Sequence, residues 1–169
     1  MTNIDRRSAI LMTAAGAAIL SSDTASAQGD TDPVRNKAIL TRAYQRWHET
    51  KGGSVNEWME IIDDNITFGS LAEGKAMAPF TARVQGKQQL EGYFAGLVGG
   101  WTMLHFTPAN FIAEGDWVVM VGSTSWRNNA TGKAFETPKV DVWRLRAGRA
   151  VEFYEYYDTA GLAKAASPS

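Results

Sequence analysis

The second half of the sequence consists of strand-like segments separated by very short turns, and this arrangement limits the fold more than any other feature. The segments are WTMLHFTPANFIAE, WVVMVGSTSWR, KAFETPKVDVWRL and AVEFYEYYD, and the turns between them contain GD, NNATG and RAG. Strands joined by such turns run antiparallel, because a parallel pair needs a crossover of about a dozen residues or more. The second half therefore predicts a series of consecutive hairpins.

Two helices are predicted at the start of the domain. The first runs from Pro33 to about Lys51, with apolar side chains at helical spacing and Asp32 as its N-cap. Ser54, followed three residues later by Glu57, has the pattern of a capping box and predicts the beginning of a second, shorter helix.

A first strand in NITFGSL, an irregular loop over residues 73–86 and a third helix over about 87–98 complete the first half. A short helical or frayed tail follows the last strand. Helices followed by hairpins indicate an α+β fold, in which three N-terminal helices cover one face of a strongly curved antiparallel sheet.

Residues 1–27 have the composition of an export signal. A basic pair, Arg6-Arg7, precedes an apolar run of 12 residues, and Ala25 and Ala27 form the small-residue site after which cleavage is expected. The run is shorter than the roughly 20 residues that span a bilayer. The arginine pair resembles a twin-arginine signal, although ordinary secretory signals share it. We predict a signal at 1–27, one domain at 28–169, and a periplasmic or secreted bacterial protein.

Charge and cysteine content argue against several kinds of partner. The chain has 17 Lys and Arg against 18 Asp and Glu, a formal net charge of −1. This balance gives no support for a nucleic-acid partner or for stable membrane association after the signal is removed. With no cysteine and only two histidines, a zinc site is not expected. The domain must therefore be stabilised by its core, without disulfides.

The strand KVDVWRL, residues 139–145, places charged and apolar side chains on one face. Because side chains alternate along a strand, Lys139, Asp141, Trp143 and Leu145 point to the same side. An acid and a base beside a tryptophan fit either a strand that leaves the core for solvent or a cavity whose wall carries the charges.

The hairpin after this strand decides which side chains meet the charges. A turn with a glycine bulge places Asp141 opposite Phe153 and Lys139 opposite Glu155, and keeps apolar residues together on one face. A two-residue turn would instead shift the pairing by one and put Asp141 beside Tyr154. We expect the bulged turn, in which Lys139, Asp141 and Glu155 converge.

Two carboxylates and an ammonium group beside aromatic rings are the groups that acid–base catalysis needs. Carboxylates that share a partly dry site cannot both ionise freely, so that one becomes an acid and the other a base. The same three side chains also fit a cross-strand salt bridge at an open sheet edge, worth roughly 1 kcal/mol or less. On spacing alone, the salt bridge is the simpler interpretation.

The segment EGDWVVMVGSTSWRNNATGKAFETPKVDVWRLRAGRAVEFYEYYDT, after three helices, resembles the nuclear transport factor 2-like superfamily. Within it, the similarity is to the SnoaL-like branch, which includes polyketide cyclases and is related to ketosteroid isomerases and limonene-1,2-epoxide hydrolases. The resemblance covers about residues 33–163. It implies a cone-shaped fold with an apolar pocket between helices and sheet, a homodimer, and an enzyme that uses no cofactor.

Limonene-1,2-epoxide hydrolases carry Arg-x-Asp on one strand and an Asp on the last strand, and Lys139, Asp141 and Glu155 fall at similar positions. In those enzymes one carboxylate activates water, the other protonates the epoxide oxygen, and the cation fixes both. Here lysine replaces the forked arginine, and the predicted first strand, ITFGSL, lacks the Tyr and Asn that position water in the epoxide hydrolases. It also lacks the Asp that acts as general base in ketosteroid isomerases. The resemblance implies a hydrolase, isomerase or cyclase for a small, largely apolar molecule, with these three residues as catalytic groups.

The candidate substrate-binding residues are aromatic apart from one histidine. They are Tyr44, Phe68, His105, Trp126, Trp143 and Phe153. His105 and Asp158 also match the His and Asp of SnoaL-type cyclases, although Asp158 has the simpler role of an N-cap for the terminal segment. Two alternatives to an enzyme stay open: a binding module that uses the same pocket, and a dimerisation module whose pocket is filled by its own side chains.

Overall fold

A computed structural model describes residues 32–168, which form an α+β fold, as predicted. The predicted export signal lies outside the described residues. The helices are α1 (Pro33–Glu49), α2 (Val55–Ile61), α3 (Lys87–Gly100) and α4 (Thr159–Ala166), with a short 3-10 helix at Pro79–Thr81. The strands are β1 (Ile62–Ser70), β2 (Val84–Gln85), β3 (Trp101–Glu114), β4 (Trp117–Asn128), β5 (Ala134–Arg146) and β6 (Arg149–Tyr156).

The six strands form one curved sheet in the order β2-β1-β6-β5-β4-β3. Strands β3 to β6 are the predicted series of antiparallel hairpins, whereas β1 pairs with β6 in parallel. A parallel pair is possible there because the long segment between β1 and β6 returns the chain to the same end of the sheet. Helix α1 packs on β3 and β4, and α3 packs on β1 and β3, which encloses the core against one face. Within residues 32–168, no helix is long and apolar enough to cross a membrane.

The first two helices begin where predicted, but only one of them is capped as predicted. Asp32 Oδ1 accepts a hydrogen bond of 2.9 Å from the amide of Arg35, which confirms the cap of α1. The predicted capping box of α2 is wrong. Ser54 has φ −90° and ψ 32°, outside the extended region typical of an N-cap, and its side chain makes no capping bond. Glu57 instead pairs with Arg46 of α1 at 3.1 Å.

The turn between β5 and β6 is the two-residue form, so the predicted bulged turn is wrong. Ala147 and Gly148 both have positive φ, 49° and 78°, which is the geometry of the hairpin turn whose twist matches that of its strands. The extra residue lies further along β6. Leu145 pairs with Ala150 and Arg144 with Glu152, which leaves residue 151 between them as a bulge.

The two-residue turn and this bulge together change the partners across the hairpin but not the face of the charged residues. Asp141 pairs with Glu155 and Trp143 with Phe153, whereas the predicted register placed Asp141 opposite Phe153 and Lys139 opposite Glu155. The error is a shift of two residues. Because side chains alternate with a period of two, the residues beyond the bulge, Phe153 and Glu155, remain on their predicted face with Asp141 and Trp143.

The contrast between Ser54 and Asp158 gives a stability prediction. Ser54→Ala is expected to leave the free energy of unfolding within about 0.5 kcal/mol of wild type, because the buried hydroxyl has no hydrogen bond to lose. Asp158→Ala should lower it by about 1 kcal/mol, because Asp158 Oδ1 accepts from the amides of Ala160 and Gly161 at the start of α4. Urea unfolding measures both. An equal loss in the two variants would contradict the uncapped start of α2.

Candidate functional site

A cavity lies between the helices and the concave face of the sheet. It contains about 670 Å³ of empty space, part of which is open solvent at its mouth. Thirteen of its twenty lining residues are aromatic, and its three charged lining residues are Lys139, Asp141 and Glu155. The cavity is therefore apolar except at one charged cluster.

The three charged side chains converge, as the sequence predicted. Lys139 Nζ is 2.6 Å from Glu155 Oε2 and 3.1 Å from Asp141 Oδ1. Relative exposure is 8% for Lys139, 1% for Asp141 and 3% for Glu155. The cross-strand pair Asp141–Glu155 brings the two carboxylates together, and Lys139 reaches both from two residues earlier on β5. The interpretation as a salt bridge at an open sheet edge is therefore wrong.

Two helices supply hydroxyl groups to these carboxylates. Tyr44 of α1 donates a hydrogen bond of 2.5 Å to Asp141 Oδ2, and Tyr93 of α3 donates one of 3.0 Å to Glu155 Oε2. The indole of Trp143 donates to the Tyr44 hydroxyl at 2.8 Å. Buried charges need such partners, because an isolated one costs several kcal/mol.

Burial and the two neighbouring charges determine the protonation of the cluster. Burial raises the pKa of Asp141 to about 6, and the charge of Glu155 raises it too, while the ammonium of Lys139 offsets part of the effect. Burial lowers the pKa of Lys139, but the two carboxylates outweigh it and hold that pKa above its usual value. Burial also raises the pKa values of Tyr44 and Tyr93 well above 10, so both remain neutral donors. Asp141 is thus the member of the cluster that titrates near neutral pH.

The two oxygens of Asp141 have different surroundings. Oδ2 accepts from Tyr44, whereas Oδ1 is buried and accepts no hydrogen bond. The ammonium of Lys139 donates to Glu155 Oε2 and also lies 3.1 Å from Oδ1, with which it forms an ion pair. Oδ1 is therefore the oxygen of Asp141 that pairs with the ammonium, and Oδ2 is the one that accepts a hydrogen bond from Tyr44.

Four of the six predicted substrate-binding residues line the cavity: Tyr44, Trp126, Trp143 and Phe153. Phe68 does not line it. Its fully buried ring packs behind Phe153 and Tyr93, with centroids 5.2 and 4.4 Å away. Phe68 therefore supports the wall of the cavity.

The predicted position of His105 in the pocket is wrong. Met103 pairs with Trp126 and His105 with Ser125, so one extra residue on β3 reverses the alternation of the strand. The side chain of His105 is 35% exposed, with Nε2 3.6 Å from Glu136. Phe106 takes the inward position and lines the cavity.

Three functional candidates were not predicted: Tyr93, Tyr157 and Trp58. Signals existed for the first two, since Tyr93 has helical spacing with Leu90 and Tyr157 follows Glu155 by two residues. The ring of Tyr157 lies 5.1 Å from Lys139 Nζ, and burial raises its pKa to about 12. Trp58 comes from the short helix α2, whose orientation no local pattern indicates.

Comparison with known proteins identifies the family. The model of the SnoaL-like domain matches residues 22–153, and the chain belongs to this family. No curated protein sequence matches the chain at a significant level. The resemblance inferred from the hairpin segment is thereby confirmed.

Solved structures with the same fold come from several bacteria. An NTF2-like protein from Burkholderia xenovorans is 21% identical, with a TM-score of 0.67 over 81% of this chain and 99% of that one. An NTF2-like protein from Burkholderia thailandensis is 24% identical, with a TM-score of 0.66 over 79% and 98%. A protein with a ketosteroid isomerase-like fold from Catenulispora acidiphila, in complex with trimethylamine, is 17% identical, with a TM-score of 0.61 over 78% and 93%. At these identities, the likeness establishes the fold.

Removal of the Lys139 ammonium is expected to destabilise the protein in a pH-dependent way. Lys139→Met should lower the free energy of unfolding by about 3 to 5 kcal/mol at pH 7.5, because it leaves two buried carboxylates without a cation. The loss should shrink at pH 4.5. In the variant the buried carboxyls bind protons more readily than in the unfolded chain, so their contribution to stability falls as pH rises.

Urea unfolding at the two pH values measures this difference. Lys75→Met is the matched control, because Lys75 pairs with Glu73 on the surface and should show no such pH dependence. An equal loss at both pH values in Lys139→Met would contradict the buried cluster.

Proposed function

We propose that this protein is a cofactor-independent acid–base enzyme that acts on a small, largely apolar molecule in the aromatic cavity. The observation that supports this proposal is the asymmetry of the two carboxyl groups. Glu155 has the shorter contact with the Lys139 ammonium, 2.6 Å against 3.1 Å for Asp141, and accepts from Tyr93, whereas Asp141 has a pKa of about 6. Carboxyl groups in such different surroundings suit one base and one acid.

Hydrolysis of an epoxide uses both roles in one step. Glu155 removes a proton from a water molecule while the water oxygen attacks an epoxide carbon. The carbon–oxygen bond of the ring breaks, and protonated Asp141 gives its proton to the ring oxygen, so that the product is a diol. Lys139 keeps Glu155 in its carboxylate form before the attack. Exchange with solvent then returns a proton to Asp141 and removes one from Glu155.

An isomerase or cyclase reaction would use the same residues differently. Glu155 would take a proton from carbon, and Asp141 would return one at another position. A non-catalytic binding module is the alternative from a different class, and the thirteen aromatic rings of the cavity would serve it equally well. Turnover distinguishes the two.

Export to the periplasm and formation of a homodimer stay predictions. For the homodimer, neighbouring strands β3 and β4 carry the exposed apolar side chains of Ile112, Trp117 and Val121. Such side chains suit an interface between subunits.

The catalytic proposal predicts a loss of turnover in two conservative variants. With limonene 1,2-epoxide as substrate, and a β,γ-unsaturated ketone as the isomerase probe, Asp141→Asn and Glu155→Gln should each lower kcat/KM by about 100-fold or more. Asp141 must be protonated to act as the acid. Above about pH 6, the rate should therefore fall roughly tenfold per pH unit.

Glu152→Gln is the matched control, since Glu152 lies on β6 with Glu155 and pairs with Arg144 outside the cavity. This variant should keep the wild-type rate and pH profile. Binding of both probes without turnover would support the binding module. Turnover that survives both Asp141→Asn and Glu155→Gln would contradict the assigned roles.

A further inference from the structure

Trp58 brings to the cavity a hydrogen-bond donor that the protein does not use. Its side chain lines the cavity and is 3% exposed, and Nε1 has no acceptor among the described residues. Buried indole N–H groups nearly always have a partner. An unpaired one in the wall of a cavity indicates that its acceptor comes from outside the chain.

Neighbouring rings hold the indole of Trp58 in place. It stacks on Trp143 with centroids 5.2 Å apart and an interplanar angle of 11°, and it meets Tyr44 edge-on at 4.9 Å. The two stacked indoles differ in one respect. Trp143 donates to the Tyr44 hydroxyl, while the N–H of Trp58 remains unpaired. The indole of Trp58 is therefore held by the rings of Tyr44 and Trp143.

Asp141 Oδ1, an acceptor of the cavity wall without a hydrogen bond, is paired with the Lys139 ammonium. Among the described lining residues, the buried side-chain atoms without a hydrogen bond are Trp58 Nε1 and Asp141 Oδ1. We propose that Trp58 donates a hydrogen bond to an oxygen of the bound molecule, so that the cavity takes oxygenated apolar molecules, such as ketones, ethers or epoxides, in preference to hydrocarbons of the same shape. This inference rests on the proposed function only in taking the cavity as the ligand site. It does not require turnover.

A different partner for Trp58 would lie inside the protein. The hydroxyl of Ser54, one turn earlier at the start of α2, is also buried and unpaired, and it does not line the cavity. A water molecule between Ser54 and Trp58 would satisfy both groups without any ligand. Ser54→Ala removes that possibility and leaves the cavity wall intact, so it separates the two explanations.

The test compares two probes that differ in one atom group. 4-tert-Butylcyclohexanone offers a carbonyl oxygen, and its analogue with an exocyclic methylene group has nearly the same shape without the oxygen. At pH 7.5, where Asp141 is mostly ionised, the ketone should move the indole ¹H–¹⁵N resonance of Trp58 downfield in wild-type protein. The methylene analogue should move it much less.

The affinities of the ketone and of the methylene analogue are then compared in three variants. Trp58→Phe should weaken binding of the ketone by about fivefold and leave binding of the methylene analogue unchanged, because it removes one neutral hydrogen bond and keeps an aromatic ring. Trp101→Phe, another substitution in the cavity wall, and Ser54→Ala should both keep the wild-type ratio. The Trp58 resonance needs no variant, so a failure of Trp58→Phe to fold would still leave the proposal testable.

Several outcomes would overturn the proposal. These are equal shifts of the Trp58 resonance with both probes, equal loss of both affinities in Trp58→Phe, or a Trp58 resonance that responds to Ser54→Ala but not to the ketone. If one of them occurs while turnover still depends on Asp141 and Glu155, only this inference fails. If neither probe binds, this inference is overturned, and turnover of limonene 1,2-epoxide or the unsaturated ketone decides the proposed function separately.

Discussion

One ammonium group buried between two carboxyl groups is the constraint on which the rest of this structure depends. A buried carboxylate–ammonium pair is neutral, but the second carboxyl adds a negative charge that the apolar cavity stabilises poorly. The protein accommodates it in two ways: hydroxyl groups of Tyr44 and Tyr93 donate to the carboxyls, and the pKa of Asp141 rises to about 6. When Asp141 is protonated, the charges of Lys139 and Glu155 cancel, and the cluster has no net charge.

The fold and the cluster therefore support each other. The two hydroxyls come from helices α1 and α3, so the carboxyls of β5 and β6 are satisfied only when both helices lie on this face of the sheet. The aromatic wall that makes the charges costly also gives Asp141 its raised pKa. The same apolar surroundings suit a small apolar molecule, and the unpaired donor Trp58 Nε1 would orient it.

The sequence predicted the fold class and the convergence of the charges, because both depend on patterns that a local shift does not change. The face of Asp141 and Glu155 follows from strand alternation, and the two-residue turn and the bulge at Val151 together move the register by two residues without changing that face. The same argument failed for His105, because the extra residue on β3 shifts the alternation by one. No turn residue marks either bulge. The hydroxyls from the helices depend on packing between distant segments, which periodicity alone does not specify.

The most direct test of the account is an NMR titration of the side-chain carboxyl carbons of Asp141 and Glu155 in the ligand-free protein. We expect Asp141 to titrate near pH 6 and the two titration curves to be coupled, because the groups share one ammonium and lie on paired strands. Independent titration of both carboxyls near or below their usual value of roughly 4 would contradict it. The cluster would then be a fully ionised salt bridge with no acid available at neutral pH.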